Sequence, residues 1–172
     1  LKRQARDPAF LAIPLQGATV SAAGELKATD FTSHNVLAKL PGASRPGEYV
    51  LYGAHWDAHG RNGPDTHGDG TRNGAIDNAT GTAEVLELAR VFAKGLRPAR
   101  TVVFAAWTAE EKGLLGAEYY AANPVYPLAT TAGVINLDPH VVLPAARDVE
   151  LIGVGRTELE LRLAEAAGRL GL

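Results

Sequence analysis

The chain has 172 residues, of which 19 are acidic and 17 basic, with five histidines and neither cysteine nor methionine. That length suits one domain or part of one, and 46% hydrophobic with 21% charged residues describes a globular chain rather than a disordered one. Without cysteine there is no disulfide, thiol nucleophile or thiolate metal site, so a metal would have to rest on imidazole and carboxylate. The net charge of −2 offers no electrostatic case for nucleic acid or an anionic membrane.

Residues 1–30 are weakly patterned, broken by Pro8, Pro14, Gly17 and Gly24. Short apolar runs follow. Val36–Leu40 is closed by the turn signal Pro41-Gly42, and Tyr49–Ala54 comes after Arg45-Pro46-Gly47. Gly60–Gly74, with five glycines, reads as one long exposed loop. In Gly81–Ala93 the residues Val85, Leu88, Ala89 and Phe92 share one helical face, and Gly95 and Pro98 stop the helix. Thr101–Trp107 and Gly133–Leu137 are near-continuous apolar runs, the pattern of strands buried on both faces. Leu114–Ala122 reads as a second helix between them, and Val149–Val154 as a fifth strand. Thr157 with Glu160 forms a capping-box pattern that starts a last helix, with Leu159, Leu163, Ala166 and Leu170 as its apolar stripe. Strands alternating with helices predict an α/β fold around a largely parallel sheet. Nothing approaches 18 consecutive apolar residues, so no transmembrane helix is predicted.

Ligands of open α/β sheets bind beyond the carboxyl ends of the strands. His55 and Asp57 follow the Tyr49–Ala54 run, Glu110 and Glu111 follow Thr101–Trp107, and Asp138 follows Gly133–Leu137. Asp77-Asn78 lies just before the first helix, where it reads either as a cap or as a functional pair. His55 and Asp57, at i and i+2, share one side of an extended chain. They read either as a surface turn pair or as a metal ligand and the carboxylate that fixes its tautomer. Of Glu110-Glu111, one could hold a metal while the other handles a proton; the alternative is a favourable meeting with a helix dipole. Asp138 needs a partner, a metal or a basic side chain, because an unpaired buried charge is costly. His59 and His67 read as loop residues near the mouth of the site, His34 as structural, and Trp56 as packing beside the site.

Taken in order, His55-x-Asp57, Gly74–Gly81 (GAIDNATG), Thr108–Gly116 (TAEEKGLLG) and Asn136-Leu137-Asp138 resemble the co-catalytic dizinc aminopeptidase family, which includes leucyl aminopeptidases and glutamate carboxypeptidase-like zinc exopeptidases. The resemblance covers about residues 30–160. It implies a three-layer, mostly parallel mixed sheet flanked by helices, incomplete here at the C-terminus. It also implies two Zn2+ per complete catalytic domain. In this likeness His55, Asp77 and Glu111 hold one zinc, and Asp77 bridges to a second that also takes Asp138. Asp57 orients His55, and a cis peptide follows Asp77. Glu110 is the general base for a metal-bridging hydroxide, and the substrates are peptides with a free N-terminus. A carboxypeptidase or dipeptidase of the same fold, and a non-catalytic binding homologue, are the rival readings. Secretion or a periplasmic location follows from the likeness alone. Residues 1–30 are expected to be a lead-in segment resembling the return from an inserted protease-associated domain, and residues 31–172 the N-terminal portion of the catalytic domain. Two departures stand out. The family's further histidine ligand is expected beyond Leu172, and Pro139 replaces the usual apolar residue after the strand-end Asp.

Overall fold

The computed structural model describes residues 17–26, 28–138, 150 and 155–172. The chain divides into two compact units, Leu1–Phe31 and Thr32–Leu172. The described residues of the first carry no strand or helix. The second contains strands β1 (Val36–Leu40), β2 (Arg45–His55), β3 (Gly60–Arg61), β4 (Thr71–Arg72), β5 (Arg100–Trp107) and β6 (Thr131–Asn136). Its helices are α1 (Ala79–Lys94), α2 (Leu115–Ala122) and α3 (Glu158–Arg169). The sheet order is β1-β5-β2-β6. β2 runs parallel to both β5 and β6, and β1 pairs antiparallel with β5. A mixed, mostly parallel sheet flanked by helices is the fold the strand–helix alternation predicts.

The layering follows from alternation along β5, since successive side chains leave opposite faces. Val103, Ala105 and Trp107 join Leu51 and Tyr120 in one buried cluster, against which Leu37, Tyr49, Ala117 and Tyr126 pack. Val102 and Phe104 point the other way, to Ala54 and to Val85 of α1, with Tyr52, Leu88, Ala89, Phe92 and Leu137 around them. α1 therefore covers one face and α2 the other. The central strand β5 is buried nearly throughout, which is why its sequence is a continuous apolar run.

Three expectations need correction. β6 is not buried on both faces: Val134 is 51% and Ile135 38% exposed, because β6 lies at an edge of the sheet among the described residues. The apolar stripe of α3 is largely exposed too, at Leu159, Leu163 and Leu170, and the buried residue of the helix, Ala167, lies outside that stripe. Its capping box at Thr157 and Glu160 is present. The Gly60–Gly74 stretch is not one plain loop: β3 and β4 pair as a short antiparallel ladder, Gly60 opposite Arg72. Asp65 and Asp69 carboxylates accept backbone N–H groups of His67, Asp69 and Thr71 and so tighten its tip. The predicted strand Val149–Val154 falls outside the described residues apart from position 150.

Candidate active site

His55 ends β2, opposite Trp107 at the end of β5, and Gly53 lies opposite Asn136 at the end of β6. Register alone therefore brings three strand termini to one edge, the carboxyl edge where ligands of α/β sheets bind. His55 is 1% exposed. Its carbonyl accepts the Thr82 hydroxyl of α1 at 2.9 Å, and its Nδ1 lies 3.0 Å from the Asp57 carbonyl. A carbonyl can only accept, so Nδ1 carries the proton and Nε2 is presented outward. Facing Nε2 are Asp77 Oδ1 at 2.9 Å, Asp138 Oδ1 at 3.3 Å and Glu110 Oε2 at 3.9 Å. Burial alone would lower the His55 pKa, but the Asp77 hydrogen bond and the charges of Asp138 and Glu110 outweigh it and raise it.

Asp77 and Asn78 divide the two roles open to that pair. Asp77 faces His55, while Asn78, 2% exposed, caps α1. Its Oδ1 accepts the Gly81 N–H at 2.9 Å and its Nδ2 donates to the Leu137 carbonyl at 2.8 Å. A Cβ on Gly81 would collide with Asn78 Oδ1 and the Leu137 carbonyl oxygen, so only glycine fits there. The Asp77–Asn78 peptide is cis. The Leu137 N–H in turn donates to the Gly53 carbonyl at 2.8 Å. Asp138 follows directly and is held level with the end of β2.

After β5 the chain passes through a left-handed residue, Ala109 (φ 53°), into the 3-10 turn Glu110–Lys112. Here the carboxylate of Asp57 does something the i, i+2 spacing did not foretell. Its Oδ1 accepts the Glu110 N–H at 3.0 Å and its Oδ2 the Glu111 N–H at 3.3 Å. Asp57 thus holds the Glu110–Glu111 turn with its side chain and His55 with its carbonyl; Oδ1 is 3.6 Å from Nδ1. Burial pushes the Glu110 carboxyl up; the nearby His55 opposes this, and Asp138, Glu111 and Asp57 add to the rise. Glu111 is not grouped with His55. Its side chain is 9% exposed and its Oε2 lies 3.1 Å from Nε2 of His59.

One imidazole nitrogen and two carboxylate oxygens, from His55, Asp77 and Asp138, thus lie within 4.8 Å of one another. The donor set is the one zinc takes in the absence of thiolate, and the Nδ1 bond to Asp57 supplies the second support such a histidine needs. The grouping differs from the expected one: Asp138 rather than Glu111 completes the set with His55 and Asp77. Sequence reading also missed His59 as the neighbour of Glu111; it lies just before Gly60, whose positive φ of 68° turns the chain into the β3–β4 ladder. Trp56 is 49% exposed and its Nε1 donates to the His34 carbonyl at 3.2 Å. His67 stays on the exposed tip.

The class defined by this fold and edge is an α/β protein with a carboxylate-rich, cation-attracting centre at its strand ends. The chain belongs to peptidase family M28, whose model matches residues 35–171. A probable zinc metalloprotease of Pyrenophora teres f. teres is 44% identical over 103 residues, covering 60% of this chain and 22% of its own length. The aminopeptidase NAALADL1 of Mus musculus is 38% identical over 113 residues, 62% of this chain and 14% of its own. A glutamate carboxypeptidase 2 homolog of Caenorhabditis briggsae is 36% identical over 126 residues, 70% of this chain and 14% of its own. The chain thus spans less than a quarter of the length of these relatives. No helix among the described residues is long and apolar enough to cross a membrane.

Proposed function

We propose that this chain carries the catalytic centre of a zinc-dependent peptidase that removes N-terminal residues from peptides. The observation that carries the reading is His55 Nε2 facing Asp77, Asp138 and Glu110 at 2.9, 3.3 and 3.9 Å. Membership of a peptidase family and relatives named zinc metalloprotease and aminopeptidase support it. His55, Asp77 and Asp138 would hold one zinc, and Glu111 with Asp77 would serve a second. Bound zinc supplies a Lewis acid for the scissile carbonyl and a lowered pKa for water.

The chain's own groups do the rest. Glu110, held by its N–H on Asp57 and raised in pKa by burial, takes the proton of the attacking water and returns it to the leaving amine nitrogen. A carboxylate tuned toward neutrality is suited to both transfers. Asp57 keeps the His55 tautomer and the Glu110–Glu111 turn in place together. Carboxylates in excess over imidazoles at the site suit a substrate bearing a free α-amino group.

The test is Glu110→Gln in the full-length protein, assayed on aminoacyl p-nitroanilides with zinc content measured in parallel. Zinc should stay bound while kcat falls by about 10²–10⁴. Wild-type turnover in that variant would sink the mechanism. A peptidase of the same fold acting at the C-terminus is the second reading, favoured by the carboxypeptidase homolog. Peptides blocked at one end or the other separate the two.

A further inference from the structure

The Thr108–Gly116 excursion that carries Glu110 and Glu111 runs through three left-handed residues, Ala109 (φ 53°), Gly113 (φ 101°) and Leu114 (φ 62°). Such a path needs fixing from outside. Its two ends meet: the Gly116 N–H donates to the Thr108 carbonyl at 2.9 Å and the Leu115 N–H to that of Ala109 at 3.2 Å. Over this junction sits one side chain from another element. Asn35, half-buried just before β1, accepts the Thr108 N–H on Oδ1 at 3.0 Å and donates from Nδ2 to the Gly116 carbonyl at 2.8 Å. Each half of the carboxamide thus satisfies one end of the loop. A Cβ on Gly116 would collide with both the Thr108 carbonyl oxygen and Asn35 Oδ1, so the glycine is what lets the amide fit. Ser33, two residues earlier on the same side of the chain, adds a hydroxyl contact to Thr108 Oγ1 at 2.5 Å.

We propose that Asn35 is a positioning residue for the Glu110–Glu111 turn, latching both ends of its loop and so fixing where Glu110 stands beside His55 and Glu111 beside His59. Asp57 grips the middle of the turn, at the N–H groups of Glu110 and Glu111, and Asn35 grips its base. The antiparallel edge strand β1, whose first residue Val36 pairs with Ala106, thereby contributes to the site through the residue before it. The latch is a statement about the fold; its effect on turnover rests on the proposed role of Glu110.

The experiment compares amide hydrogen exchange and kinetics in the full-length protein for wild type, Asn35→Ala, Asn35→Asp and Leu37→Ala. Leu37, a core side chain two residues along, serves as a control for lost stability alone. In Asn35→Ala, exchange over residues 108–116 should rise about tenfold or more while β5 stays protected. There kcat should fall about 10–100-fold with KM little changed. Asn35→Asp keeps an acceptor for Thr108 but loses the donor to Gly116, so loosening should concentrate in residues 113–116, with kcat between the other two. It also serves as the test should the alanine variant not fold. Wild-type exchange across the loop in both Asn35 variants, or the same loosening in Leu37→Ala, would overturn the latch. A loosened loop with unchanged kcat would overturn the positioning role, since Asp57 would then suffice to hold Glu110, while the chemistry of Glu110 itself stands or falls with Glu110→Gln.

Discussion

Both ring nitrogens of His55 face oxygens, the Asp57 carbonyl at Nδ1 and the Asp77 carboxylate at Nε2. Two acceptors can be satisfied together only by the doubly protonated ring, in keeping with its raised pKa. The consequence for stability has a definite sign. A histidine whose pKa is raised on folding stabilises the fold fully below its ordinary value of about 6.5 and loses that contribution as pH climbs through the raised value. Glu110, a carboxyl whose pKa is also raised, acts in the same direction at lower pH, since the fold favours its protonated form. In metal-free protein the urea midpoint of wild type should therefore exceed that of His55→Gln most below about pH 6.5, the gap closing as pH rises through the raised value. A gap that is flat or widens with pH would contradict the arrangement. Zinc reverses the trend, because it competes with the proton for Nε2 and binds more weakly as pH falls.

Asn78 shows how one element boundary sets a distance in the site. It caps α1 through the Gly81 N–H and ties that helix start to the Leu137 carbonyl after β6, so Asp77 and Asp138 share a common anchor. Asn78→Ala removes the cap, at about 0.5–2 kcal/mol, and leaves the Leu137 carbonyl without that donor, at about 1–3 kcal/mol. A loss of about 2–4 kcal/mol in chemical denaturation is expected, with weaker zinc binding. A loss under about 0.5 kcal/mol would show the anchor to be idle. The elements themselves were legible: Val36–Leu40 is a strand as read, and Tyr49–Ala54 and Thr101–Trp107 lie within β2 and β5. Apolar runs and helical periodicity report burial, and burial decides these elements. Asp77, Glu110, Glu111 and Asp138 were legible as residues at strand ends and a helix start, but their partners were not. Asp57 binds N–H groups more than 50 positions away, Asn35 reaches both ends of the Glu110–Glu111 loop, and His59 meets Glu111, 52 positions on, just before the chain enters the β3–β4 ladder. Pairings of that kind depend on register and turn conformation, which no local pattern encodes.

At the scale of the whole molecule, the site is assembled from four separated stretches and does not exist in the unfolded chain. With no cysteine in the sequence, the unfolded state has little to offer zinc, so binding should report almost entirely on the native state. The overall charge of −2 is small, whereas Asp57, Asp77, Glu110, Glu111 and Asp138 crowd one edge of the sheet, and their mutual repulsion is what a cation would relieve. Zinc at one hundred times its dissociation constant should stabilise the fold by about 2.7 kcal/mol. For a chain of this size that corresponds to a rise in Tm of about 5–11 °C, reversed by a chelator. His55→Ala should abolish the rise. His34→Gln should leave it intact, because His34 enters the described hydrogen bonds through its carbonyl alone. Differential scanning fluorimetry with and without zinc measures all three proteins. A rise that survives His55→Ala, or one that His34→Gln reduces equally, would mean that zinc binds elsewhere and that the carboxylates at the strand ends are not its site.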